Sequence, residues 1–154
     1  MNIWRYQTGE QLEIDAPIDR VYAVASNPEV VPSYAPEIAR IELVERLSEH
    51  TVIVRSYLRV ANLTLPYLYR YHYRAPTHYS GVQQHGKILR GFFTLTFTEQ
   101  GNGTAVLHTE GFFSAIPCFA WIIGFIYFHI VARGGVKEEL GRLKKLVESQ
   151  HSAE

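Results

Sequence analysis

Cysteine is nearly missing from this chain. Cys118 stands alone, so no intrachain disulfide can staple the fold, and its place in an apolar run suits a thiol acting as a small hydrophobe. A surplus of charge is missing too, since Lys+Arg and Asp+Glu both number 15. Without a basic block, phosphates find no local excess of cations, which argues against nucleic acid as a partner. Residues 1–15 alternate and lack the apolar core of a signal peptide, so a cytoplasmic location is expected. No Gly-rich phosphate loop is present, because Gly101-Asn102-Gly103 is turn chemistry without the helix start that a phosphate site uses. A Ser nucleophile elbow is also lacking. The histidines, His50, His72, His78, His85, His108, His129 and His151, show no HxH, HExxH or cysteine-based spacing. No metal and no cofactor is therefore expected.

What the chain has is alternation, tyrosine and one long apolar run. Its 154 residues suit one core. Trp4, Tyr6, Leu12 and Ile14 share a parity, which predicts a half-buried strand, and Gly9 suggests a bulge in it. Asp15-Ala16-Pro17 stops the strand, and Asp19 is placed to cap a short helix with Val21, Tyr22, Val24 and Ala25 inside. Asn27-Pro28 breaks that helix, and Pro32 and Pro36 bracket a second short element. From Glu37 the chain alternates in runs parted by polar turns, the pattern of an antiparallel meander over 38–47, 51–60, 63–74, 78–84, 89–99 and 104–113. Asn62 marks one turn, Gly101-Asn102-Gly103 is hairpin chemistry, and Pro66 points to an edge or an irregular start.

The last stretch, 115–147, opens with AIPCFAWIIGFIYFHIVA, 18 residues without Asp, Glu, Lys or Arg. Such a run suits a membrane span or a buried helix. Beyond Arg133-Gly134-Gly135 it becomes amphipathic, with Val136, Leu140, Leu143 and Val147 at helical spacing. A curved sheet of this size needs its concave face covered, and one long C-terminal helix is the element left to do it. The expectation is an α+β helix-grip: a curved antiparallel sheet of about seven strands, two short helices, and a long C-terminal helix across the concave face. Residues 1–150 form the single domain and 151–154 a tail.

The phrase Glu13-Ile14-Asp15-Ala16-Pro17-Ile18-Asp19-Arg20-Val21-Tyr22, followed by Asn27-Pro28 and Tyr34-Ala35-Pro36, resembles the opening of the START-like polyketide cyclase and lipid-transport superfamily (SRPBCC). Gly103-Thr104-Ala105-Val106 and Glu139-Leu140-Gly141-Arg142-Leu143-Lys144 are similar to its later landmarks. Tyr34 stands where many members have Trp, and the first half of the last helix is unusually apolar. The resemblance implies a cavity between helix and sheet for an apolar molecule such as a lipid, isoprenoid, quinone or polyketide-like chain, held by a carrier or sensor. The alternative it implies is a cyclase or dehydratase using Tyr and His acid–base chemistry in the same cavity.

Several side chains suit that cavity. Tyr67, Tyr69, Tyr71 and Tyr73 project from one side of a strand as a wall of rings edged by hydroxyls; packing alone, or the reverse register with Arg70, His72 and Arg74 inside, stays open. Projection of the last helix at 100° per residue puts Cys118, Ile122, Phe125, His129 and Val136 on one stripe, so His129 should face the sheet, with Ala120, Ile123, Gly124, Tyr127 and Val131 opposite. His129, Tyr71 and Tyr69 are the candidates for proton transfer. His108 and Glu110 share a parity with Phe112 and could act as an acid–base pair, or could face solvent while Ala105 and Leu107 pack. Tyr34, Phe93, Trp121 and Phe125 complete the expected ligand contacts. An apolar helix without a charged face leaves a patch exposed, which is expected to meet a membrane surface peripherally, a second copy through 115–131, or the chain's own strands and loops.

Overall fold

The computed structural model describes residues 3–127, 129 and 135–151. Strand β1 (Trp4–Ile14) is followed by helices α1 (Ile18–Ala25) and α2 (Val31–Tyr34). Strands β2 (Ile38–Arg46), β3 (Thr51–Val60), β4 (Leu63–Arg74), β5 (His78–Gln83), β6 (Leu89–Gln100) and β7 (Gly103–Ser114) come next, then α3 (Phe119–Ile126) and α4 (Gly135–His151). The strands form one antiparallel sheet in the order β1-β7-β6-β5-β4-β3-β2. This is the helix-grip plan, and the local alternation predicted the ends of β2 to β7 to within one residue.

Registers decide which side chains meet. Tyr71 lies opposite Val52 on β3 and Gly81 on β5, Gly81 opposite Phe93, and Phe93 opposite Glu110. One face therefore carries Val52, Tyr71, Gly81, Phe93 and Glu110 in a row across five strands. Arg70, His72 and Arg74 point to the other side and are exposed, so the reverse register is excluded. Gly81 is needed where it stands: a Cβ there would come within 2.3 Å of the Phe93 ring and 2.7 Å of the Tyr71 ring.

Two local expectations are corrected. Gly9 pairs with Thr109 in an uninterrupted register, so it makes no bulge. Asp19 lies inside the first turn of α1, whose N-cap is Pro17 without a side-chain cap; its carboxylate favours the positive end of the helix from there. Asn62 lies in the turn after β3 as expected, beside Ala61, which takes the positive φ of 52°. Pro66 fits its place, because β4 pairs with β5 only from Tyr69 onward and Pro66 has β3 as its sole strand neighbour.

The larger correction concerns the end of the chain. In place of one helix over 115–147 there are α3 and α4, with positions 128 and 130–134, Val131 among them, outside the described residues. Val136, Leu140, Leu143 and Val147 of α4 are buried as the periodicity requires, and they join Ile14, Val21, Tyr22, Tyr34, Phe97 and Val106 in the core. Lys144 Nζ donates to the Glu13 carbonyl at 2.7 Å and pairs with Glu148 at 2.6 Å. Glu148 in turn accepts from Asp15 N–H at 2.9 Å, tying α4 to the end of β1.

In α3 the faces are inverted. Ala120 and Gly124 are buried, while Trp121, Ile122 and Phe125 are exposed. Gly124 explains the choice: a Cβ there would come within 2.1 Å of the Tyr6 ring, so only a small residue lets the helix settle on β1. Trp121 meets the same Tyr6 ring edge-on at 5.8 Å between centroids. No helix among the described residues is long and apolar enough to cross a membrane.

Candidate functional site

Where the concave face meets α2 and α4, a small cavity opens, lined by Tyr34 and Glu37, by Tyr71, Tyr79 and Phe93, by His108 and Glu110, and by Glu139 of α4, with Val31, Ile38 and Leu95 between them. Its water-accessible volume is about 30 Å³, room for one or two waters. The aromatic side is built by packing. Tyr71 meets Tyr79 edge-on at 5.5 Å and Phe93 at 5.3 Å, and Tyr69 and Tyr73 flank Tyr71 along β4 at 6.1 and 6.4 Å. The Tyr71 hydroxyl is hydrogen-bonded to Ser56 Oγ at 3.1 Å. The Tyr34 hydroxyl donates to the Ala25 carbonyl, fixing α2 against α1.

The polar side is the unusual one. His108 is 2 % exposed, with Nε2 3.3 Å from Glu110 and Nδ1 3.7 Å from Glu139. An imidazole between two carboxylates inside a sheet-and-helix core is expensive to desolvate. Burial pushes the Glu139 carboxyl well above its usual range, and the nearby negative charges of Glu110 and Glu37 push it further. Burial likewise raises Glu37. Arg142, the cation acting on both, is paired with Glu138 at 3.8 Å outside. Desolvation raises Tyr34 and Tyr79 and takes Tyr71 up to about 12. All three keep their protons at neutral pH and can donate. The Tyr79 hydroxyl is enclosed beside that of Tyr71 and has no partner in full bonding geometry.

Of the expected site residues, Tyr34, Tyr71, Phe93, His108 and Glu110 come together at this cavity. Tyr69 and Tyr73 pack beside it on the same face, and Tyr67, farther along β4, is half-buried opposite Ser56. The solvent-facing alternative for His108 does not hold, since it is Leu107 that is exposed. Trp121, Phe125 and His129 lie elsewhere. His129 is exposed and stacks on the Phe125 ring at 4.4 Å, so it does not face the sheet. The stripe that placed it there assumed one continuous helix.

Residue-level reasoning missed Glu139, Glu37 and Tyr79. Glu139 follows Val136 by three positions and precedes Leu143 by four, which puts it on the buried face of an amphipathic helix, and that signal was available. Tyr79 alternates with Gly81 on β5, equally readable. Nothing local announces Glu37, which follows Pro36 at the entry to β2.

A curved antiparallel sheet gripping a C-terminal helix over an aromatic and ionisable cavity defines the helix-grip class of folds. Residues 8–148 match the model of the family described as polyketide cyclase / dehydrase and lipid transport, and the chain belongs to that family. Among solved structures it is similar to TTHA0849 from Thermus thermophilus, at 21 % identity and TM-score 0.74 over 94 % of this chain and 99 % of that one. The Zhui aromatase/cyclase from Streptomyces sp. R1128 aligns at 14 % identity and TM-score 0.75 over 94 % of each chain. A START superfamily protein from Mycobacterium smegmatis aligns at 15 % identity and TM-score 0.71 over 94 % of this chain and 98 % of that one. At these identities the likeness is one of fold. Among curated proteins no sequence matches.

Proposed function

We propose that the chain binds one small molecule with an apolar or aromatic body and a polar group, as a carrier or sensor. The body lies against Tyr34, Tyr71, Tyr79 and Phe93, and the polar group meets His108. One observation carries this reading: an aromatic wall ends in a buried histidine held between two carboxylates. A core of this size gains nothing in stability from such a cluster, because apolar side chains of equal volume would pack there without the desolvation cost. The family supports an apolar ligand in this place.

At about 30 Å³ the cavity is smaller than the several hundred Å³ typical of a ligand site. Uptake therefore requires α2 to move, a four-residue helix held by Tyr34 and a few neighbours. The test is extraction of the purified protein followed by mass spectrometry, with titration by fluorescent fatty acids and quinones. A co-purified apolar molecule or saturable probe binding is expected. An empty protein that binds no probe contradicts the reading.

The second reading is catalytic, a cyclase or dehydratase step on a polyketide-like chain. It is favoured by the mixture of groups around His108, where an imidazole next to a carboxyl of raised pKa can give and take protons. Turnover of a poly-β-keto thioester analogue that is lost in His108→Gln, with probe binding kept, would favour this reading over the carrier. Tyr71→Phe and Tyr69→Phe test the tyrosines in the same assay.

The exposed row Trp121, Ile122, Phe125 and Ile126 supports contact with a membrane surface or a second copy. Liposome flotation and light scattering without lipid separate the two, and a lipid-free monomer in both rejects them together.

A further inference from the structure

The ionisable side of the cavity has a property that neither an apolar carrier nor a proton-transfer enzyme requires. His108, Glu110 and Glu139 each offer one donor atom, and these atoms all lie within 4.8 Å of one another. Ligands around a transition-metal ion at about 2.0–2.2 Å stand roughly 3–4 Å apart; Glu110 already stands 3.3 Å from Nε2, and Glu139, 3.7 Å from Nδ1, would have to swing toward the same nitrogen to complete the set. The three come from two elements: His108 and Glu110 are alternate residues of β7, projecting from one face, and Glu139 reaches them from α4.

Charge points the same way. Glu37, Glu110 and Glu139 line the cavity with one imidazole, and neither lysine nor arginine is among its lining residues. Each ionised carboxylate in such a place costs several kcal/mol unless compensated, and a dication compensates two at once. A separate observation concerns Tyr79. It is 1 % exposed and lines the same cavity, and its hydroxyl, close to that of Tyr71, has no partner in full bonding geometry. A water on a metal would donate to that hydroxyl's oxygen, and the cavity's volume of about 30 Å³ suits an ion with a water.

We propose that His108, Glu110 and Glu139 bind one divalent transition-metal ion through a ring nitrogen and two carboxylates, leaving a position open to water beside Tyr79. One nitrogen and two carboxylate oxygens suit Zn²⁺, Mn²⁺, Fe²⁺ or Co²⁺ better than a thiol-seeking ion. Sequence motifs miss such a site because its third ligand stands about thirty residues beyond the others. The site is independent of the carrier reading, since an ion can bind whether or not an organic molecule does.

The test is titration of the whole, chelator-stripped chain with Co²⁺ by absorption and with Zn²⁺ and Mn²⁺ by calorimetry. One equivalent should saturate, with a Co²⁺ spectrum of mixed nitrogen and oxygen ligation. His108→Gln and Glu139→Gln should each weaken binding beyond the roughly 10–100-fold typical of losing an outer-shell partner. Glu138→Gln, the exposed neighbour, should leave it unchanged. Folding of each variant is read by circular dichroism, and Glu110→Gln stands in if one of the others does not fold. Absence of saturable uptake, or uptake indifferent to His108 and Glu139 and lowered by Glu138→Gln, overturns the proposal and leaves a hydrogen-bonded cluster alone. Organic probes titrated in chelator separate the two proposals: probe binding without metal uptake sinks the metal site only, and metal uptake without probe binding sinks the carrier only.

Discussion

Tyr71 joins the aromatic wall to the strand behind it. It packs on Tyr79 and Phe93, hydrogen-bonds Ser56, and lines the cavity. Tyr71→Phe keeps the ring and orphans the buried Ser56 hydroxyl, so a loss of about 1–2 kcal/mol is expected in denaturant unfolding. The raised phenols also make stability depend on pH. Unfolded tyrosines ionise near their ordinary value of 10, while Tyr71 and Tyr127 hold their protons to about 12. Between these values the folded chain binds more protons, so stability is full below pH 10 and falls as pH rises through that window. Thermal melts from pH 9 to 12 should show that fall, and Tyr71→Phe should lessen its slope. A flat profile would mean that the rings are not shielded.

Whether a residue's place was readable depended on how far the information had to travel. Tyr71 and Phe93 followed from alternation within their own strands. His108 and Glu110 were placed on one face by the same rule, but which face was buried depended on pairing with β6 and on docking of α4. Glu139 was legible on its helix and illegible as a partner of His108, because no spacing rule links a strand to a helix that packs across it.

At the scale of elements, the strands were legible because a period of two needs only a few residues to declare itself. The final helix was not, because a phase of 100° per residue carries meaning only along an unbroken helix. Carried across Gly134-Gly135, it turned Ile122, Phe125 and His129 inward when α3 presents Ala120 and Gly124. Two glycines test these contacts. Gly124→Val should lift α3 from the Tyr6 ring and cost about 1–3 kcal/mol, and Gly81→Ala should cost a similar amount by forcing apart the Tyr71 and Phe93 rings. Urea unfolding of both variants checks this, and unchanged midpoints would contradict the packing described. For α4, Leu143→Ala should cost about 2–5 kcal/mol, since Leu143 is wholly buried.

As a whole, the molecule is a sheet that wraps an aromatic wall and a helix that closes it, with buried ionisable groups left where the two meet. The apolar end at α3 and the ionisable cavity at α4 are separate features, although a single run of sequence leads from one to the other. That separation makes the account testable in one titration. A fluorescent fatty acid or quinone is titrated into wild-type protein, into Phe93→Trp, which fills the cavity, and into Phe125→Ser on the exposed face of α3, with melting curves confirming each fold. The account predicts saturable one-site binding to wild type, retained in Phe125→Ser and weakened at least about tenfold, or 1.4 kcal/mol, in Phe93→Trp. Binding that survives Phe93→Trp and disappears with Phe125→Ser would place the ligand outside the grip and contradict it.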